Sequence, residues 1–289
     1  GPVDFPVPGI PVGRLVENQT EIIGMIDAYL GAPLVNGAHA VSPLTSLVTG
    51  YDFVADTADA VKDNLDAGTA EAGGGDSLIQ LYGKAPTDSD AWSAAQLKTE
   101  LLGERNDITF LAGHFSATSA LAADYESVLT TRDVEASTTN LVNSILFSIG
   151  CHSGYNTVDG DAVAGVTDPL DWAQVFARKR ITSILGTGYQ YGDTDFLEYS
   201  ERIYAEFSKQ LLYGTAGQAV AIGEALVASK IAYLGETYDI ADLHLKSLLE
   251  SGLYGLPMLG VDFKHGRLGT PNDASGTVTL VDFSPAATG

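Results

Sequence analysis

The stretch Ser144-Ile145-Leu146-Phe147-Ser148-Ile149-Gly150-Cys151 constrains the fold more than any other. Its apolar run is short and broken by one small polar residue, which suits a parallel strand covered on both faces. Gly150 lets the backbone turn sharply, and Ser153-Gly154 continues as loop. The strand therefore ends on Cys151, the one cysteine in 289 residues. Ligands of open α/β folds bind at the carboxyl ends of parallel strands. A thiol there is a candidate nucleophile, with burial in the core as the competing explanation.

A second run of the same design lies upstream. Asp107-Ile108-Thr109-Phe110-Leu111-Ala112-Gly113-His114 is again β-prone and apolar, then glycine, then a residue capable of chemistry. His114 and Cys151 are 37 residues apart, about one strand–helix–strand unit. Successive parallel strands would carry both to one edge of one sheet. A neutral imidazole there accepts the thiol proton, and an imidazolium stabilises a thiolate. His152 adjoins Cys151, but neighbouring side chains on an extended segment diverge, so it is the poorer base.

Further strands are expected at Leu44–Phe53, Ser77–Tyr82, Ile181–Leu185 and Tyr254–Val261. Between them come helices. Asn18-Gln19-Thr20-Glu21 reads as a capping box ahead of Ile22, Ile23, Ile26, Tyr29 and Leu30. Others are expected at Asp56–Leu65, from Asp88 or Ser89 through Leu102, from the Asp168-Pro169 cap through Ala177, along the Phe196, Tyr199, Ile203, Phe207 and Leu211 stripe, and at Ala219–Leu234 and Leu243–Leu249. Gly68–Gly75 and part of Leu121–Asn140 read as loop. The alternation predicts an α/β fold, a mainly parallel sheet flanked by helices on both faces.

The net charge of −22 argues against nucleic acid and anionic membrane as partners, and no apolar run reaches a membrane span. An apolar fraction of 45% is ample for a core without disulfides or metals. Asp159, Asp161 and Asp168 are carboxylates that could supply oxygen ligands to calcium, though not at EF-hand spacing. No Gly-x-Ser-x-Gly elbow, dinucleotide fingerprint or paired zinc-ligand spacing is present. Gly1-Pro2 resembles the scar of protease cleavage, so a natural N-terminus, with a signal or another domain, is expected upstream.

The two strand ends resemble those of the gingipain family of cysteine peptidases, which share the caspase-hemoglobinase-like fold. Three further segments are similar to that family: Pro11-Val12-Gly13-Arg14-Leu15, Leu47-Val48-Thr49-Gly50-Tyr51-Asp52-Phe53 and Leu253-Tyr254-Gly255-Leu256-Pro257-Met258-Leu259. The resemblance runs from about Ile10 to Phe263. It departs at Phe115, where the family usually has glycine, and at Leu256, where Gly-Asp-Pro is usual.

The resemblance implies a caspase-like peptidase domain over residues 1–265, with 266–289 a tail or the start of a following β domain. It implies a secreted or cell-surface endopeptidase that works on a peptide or protein substrate without a required cofactor. Cys151 would attack and His114 would protonate the leaving amine, through a thioester. Backbone amides at Gly113, Phe115 and Cys151 would hold the oxyanion. Family members cut after Arg or Lys by means of an acid near these loops; Asp52 and Asp56 are the candidates, although Asp56 also has the place of a helix cap. Tyr189 and Tyr191, in the loop after the Ile181 strand, would wall the substrate pocket. If a basic side chain is preferred, Arg132 is a self-processing site. Two other readings use the same residues: a non-catalytic caspase-like scaffold module of a larger surface protein, favoured by Phe115, and a transpeptidase in which an amine captures the thioester.

Overall fold

Asn18 opens the first helix with the expected capping box: its side chain accepts from the amides of Thr20 and Glu21, and Glu21 reaches back to the Asn18 amide. The computed structural model describes residues 7, 9–69, 75–80, 87–163, 167–214, 217–237, 240, 242–265 and 267–268. In chain order these form α1 (Gln19–Gly31), β1 (Leu34–Val35), β2 (Ala38–Val41), β3 (Ser46–Gly50), α2 (Ala55–Thr69), β4 (Asp76–Ile79) and α3 (Ala94–Leu102). Then come β5 (Ile108–Leu111), β6 (Ser119–Leu121), β7 (Val128–Thr130), α4 (Thr131–Ala136), β8 (Ile145–Ser148), α5 (Trp172–Arg178) and β9 (Thr182–Gly186). The chain continues with α6 (Tyr199–Gln210), β10 (Val220–Ala221), α7 (Ile222–Glu236), α8 (Asp242–Glu250), β11 (Ser251–Tyr254) and β12 (Gly260–Val261).

Six strands make the main sheet, in the order β11-β9-β8-β5-β3-β4. All neighbours pair parallel except β11, which runs antiparallel to β9 at the edge. Successive strand residues enter opposite cores, as period-2 geometry requires. Leu47, Leu111, Leu146 and Leu185 pack with residues of α1, α3, α4 and α5. Val48, Phe110, Phe147 and Ile184 pack with residues of α2, α6 and α7. The sheet is thus covered on both faces, which is why its strands read as near-continuous apolar runs. Phe147 is fully buried, stacks against Tyr204 and meets Phe207 edge-on, both from α6. Burying a ring of that size contributes roughly 2–3 kcal/mol.

Several expected boundaries move, each for a local reason. α3 begins at Ala94 because Ser93 and Gln96 form a capping box there; Asp88 and Ser89 lie before it. α5 is capped by Asp171, while Asp168 closes a turn by accepting from the amide of Leu170. α2 starts at Ala55 behind a short 3-10 turn, so Asp56 lies inside the helix, where its carboxylate accepts from the amide of Thr57. α2 also continues through Gly68 to Thr69. Phe196 lies outside α6 and is 70% exposed. Part of Leu121–Asn140 is loop, as expected; the rest holds the end of a β6-β7 hairpin and α4.

The expected final strand Tyr254–Val261 is two strands. β11 ends at Tyr254, Gly255 turns the chain at φ 140, and β12 joins a separate sheet ordered β1-β2-β12-β10. Near the N-terminus, Arg14 bridges Tyr254, donating its amide to Leu253 O at 2.8 Å and accepting from Gly255 N at 2.8 Å. Tyr82, Gly266 and the stretch 269–289, including the expected β segment Val278–Phe283, lie outside the described residues.

Candidate active site

Strand register lines up three residues. β3 pairs with β5 at a 62-residue offset (Ser46 with Ile108), and β5 pairs with β8 at 37 (Ile108 with Ile145). Carried past the strand ends, the same offsets put Asp52 level with His114 and His114 level with Cys151. His114 and Cys151 both line a cleft of about 670 Å³ at this carboxyl edge, together with Phe115, His152, Tyr155 and Tyr189.

Asp52 meets His114 directly. The imidazole Nε2 lies 3.1 Å from Asp52 Oδ2, and Tyr125 donates its hydroxyl to the same oxygen at 2.6 Å. Burial alone would raise the Asp52 carboxyl; the hydrogen bonds from Tyr125 and His114 outweigh it and hold the group below its ordinary value. An ionised carboxylate only accepts, so the proton of a neutral His114 sits on Nε2 and the lone pair on Nδ1. Burial pushes the Tyr125 hydroxyl up, and its bond to Asp52 adds to that, which keeps it a donor.

The main chain of His114 is fixed from beneath. Its amide donates to the Tyr51 hydroxyl at 2.9 Å, and that hydroxyl donates to Leu121 O at 2.6 Å. Tyr51 is buried, and its ring also packs edge-on against the His114 imidazole. Gly113, at φ 149, is needed twice: for its left-handed backbone and because a β-carbon there would lie 2.4 Å from the Tyr51 ring. Phe115 braces this loop against the next, with its ring below Gly150 and beside Trp172.

Cys151 is a partly buried free thiol. Its sulfur sits between the main-chain groups of Gln190, accepting from the amide at 3.5 Å and facing the carbonyl at 3.8 Å. His152 takes a left-handed backbone at φ 56, donates its amide to Gly188 O at 2.7 Å, and sets its ring 4.6 Å from that of Tyr189.

The remaining expected site residues divide. Tyr189 lines the cleft, whereas Tyr191 is not among its lining residues and accepts a hydrogen bond from Lys246 at 2.8 Å. Asp52 and Asp56 are also absent from that lining: Asp52 is turned to His114, and Asp56 lies on α2. The acids that do line the cleft are Asp168 and Asp171. Asp168 is paired with Arg132 at 2.8 Å. Asp171 is 2% exposed, with its carboxyl raised by burial although Gln174 N, Asn156 Nδ2 and Thr157 N all donate to it. Arg132, the expected self-processing site, lies in the first turn of α4. Asp159, Asp161 and Asp168 do not converge; among the described residues no group of three or more His, Cys, Asp or Glu could hold a metal ion.

Sequence reasoning missed Asp52 as the partner of His114, although the strand-end logic that paired His114 with Cys151 extends to it. Tyr51, Tyr125 and the Gln190 main chain carried no such signal, because they act through positions set by the whole fold.

No family model matches the chain, and no curated protein matches it. Solved structures do match. One of them, "Structure of Protease", aligns with a TM-score of 0.45 and 15% identity over 85% of this chain and 54% of its own. The chain spans about half the length of that neighbour.

Proposed function

We propose that this chain is a cysteine endopeptidase in which Cys151 is the nucleophile and His114 the base and acid. The reading rests above all on one observation: His114 and Cys151, just past the ends of the paired strands β5 and β8, line one cleft, and Asp52 meets Nε2 of the imidazole. In the reaction, Cys151 Sγ attacks the scissile carbonyl carbon while its proton passes to His114 Nδ1. That proton then goes to the amine as the C–N bond breaks, leaving a thioester. Water, deprotonated by His114, displaces the thiol and restores it. Asp52 keeps the imidazole in the required tautomer and offsets the charge of the imidazolium. The amides of Gly113, Phe115 and Cys151 are the proposed oxyanion donors, each contributing about 3 kcal/mol.

A basic residue at the cleavage site is the finer part of the proposal. The acid available to it in the cleft is Asp168, since Asp171 is buried and committed to its own hydrogen bonds; Tyr155 and Tyr189 line the same cleft. A cationic side chain would compete with Arg132 for Asp168. Asp168→Asn should then weaken the preference for Arg or Lys without removing cleavage, and an unchanged preference counts against that role.

A proteome-derived peptide library, read by mass spectrometry beside Cys151→Ala, tests the whole reading. Cuts that share one residue and vanish in the variant support it. Cuts that persist in the variant refute the nucleophile. Absence of cuts, with peptide joining seen on adding an amine, would favour the transpeptidase.

A further inference from the structure

The Cys151 sulfur is held by main chain, and that main chain belongs to a turn built on a buried acid. Gln190, whose amide and carbonyl flank the sulfur, begins a segment that is tied twice to the start of α6. Tyr191 exchanges bonds with Ser200: the Tyr191 amide donates to Ser200 Oγ at 3.2 Å, and the Ser200 amide donates to Tyr191 O at 3.0 Å. Asp193 donates its amide to Glu201 Oε2 at 2.9 Å. Between these ties, Gly192 lies flat on the Glu201 carboxyl; a β-carbon there would be 2.4 Å from Cδ. Glu201 is 0% exposed, and the Thr57 hydroxyl of α2 faces its carboxyl.

We propose that Glu201 is a positioning residue: it seats the Gly192 turn and, through it, the Gln190 main chain that brackets the Cys151 sulfur. The role rests on the reading of Cys151 as nucleophile for its meaning, but not for its test. Facing Glu201 are Asp56 and Thr57 from α2, the Asp193 amide from the turn and the Glu198 backbone of its own helix start. None of these is a cation, and the next residue, Arg202, is engaged by Glu198 at 2.9 Å. Burial first, and the Asp56 charge after it, raise the Glu201 carboxyl to about 8. The seat is therefore a neutral acid at neutral pH, and ionisation would set a charge beneath the turn against that of Asp56. At its other end, Gly188 rests in the same way on Glu250 Oε1, with 2.7 Å to a β-carbon.

Because Cys151 is the only cysteine, its alkylation by iodoacetamide can be followed by intact mass with no need of turnover. At neutral pH, Glu201→Ala and Gly192→Ala should each speed alkylation by about fivefold or more, as the Gln190 wall loosens over the thiol. Glu201→Gln, neutral and of the same shape, should stay within about twofold of the parent. The parent-to-Gln rate ratio cancels the thiol's own titration; it should be flat in mild acid and rise above about pH 8, where the parent ionises and the variant does not. A folded Glu201→Ala with parental alkylation and a flat ratio overturns the proposal. If Glu201→Ala does not fold, Gly192→Ala decides on the same criterion. A protein that cleaves no peptide can still pass, so this test and the peptidase reading fail separately.

Discussion

Phe115 occupies the space that any side chain on Gly150 would need: a β-carbon there would lie 2.2 Å from the Phe115 Cγ. The ring thus fills a gap between the loop of His114 and the loop of Cys151. Gly150→Ala should cost about 1–3 kcal/mol by overpacking. Adding Phe115→Ala should recover much of that loss, because the two changes share one contact. Urea denaturation of the four proteins measures the coupling, and additive effects would contradict the brace.

The Asp52–His114–Tyr125 group predicts a graded series. Asp52→Asn should lower kcat/KM by about 10²-fold, by turning the imidazole to the wrong tautomer. Tyr125→Phe should cost less than about tenfold, since His114 keeps its carboxylate. Stability carries the same signature. Asp52 is held below its ordinary 3.8 by its two donors, so its contribution is present above that value and is lost as pH falls through the lower folded one. Asp52→Asn should therefore be less stable than the parent near neutrality and close to it in strong acid.

Removal of Cys151 or His114, the proposed nucleophile and base, should abolish turnover, whereas His152→Ala should keep most of it. The His152 backbone is fixed to Gly188 and its ring rests on Tyr189, so its part is in the cleft wall. Steady-state assay of Cys151→Ala, His114→Ala and His152→Ala separates these roles; full activity in His114→Ala would remove the base assignment.

Glu201 predicts an opposite pH dependence. Its carboxyl is raised from 4.5 to about 8, so between these values the folded chain holds a proton that the unfolded chain releases. Stability falls as pH rises through that window. Glu201→Gln has no proton to lose. Its melting temperature should match the parent's below about pH 4 and exceed it by several degrees above about pH 8.

The sequence carried the central sheet well, because strands buried on both faces leave short apolar runs that end in glycine. Ile108–Leu111 and Ile145–Ser148 were both legible for this reason, and with them the placing of His114 and Cys151 at one edge of the sheet. Helix starts were less legible where caps compete: Asp88, Ser89 and Ser93 all suit the role, and only the Gln96 side chain decides for Ser93. β11 and β12 read as one strand because a glycine turn between apolar residues leaves little trace in periodicity. The role of Asp52 was hidden by its neighbourhood. Two acids follow β3 four residues apart, and which one reaches the histidine depends on the φ 58 turn at Asp52, a tertiary property.

The outer edge of β11 is already occupied by the bridge from Arg14, so strand addition there would require this protein to give up part of itself. A second copy that paired through that edge would first have to peel the N-terminal segment away. Gly13 lets that segment lie close, for a β-carbon there would sit 2.2 Å from Gly255 O. A single methyl group at Gly13 would lift the cover and turn a closed border into an open template for self-association.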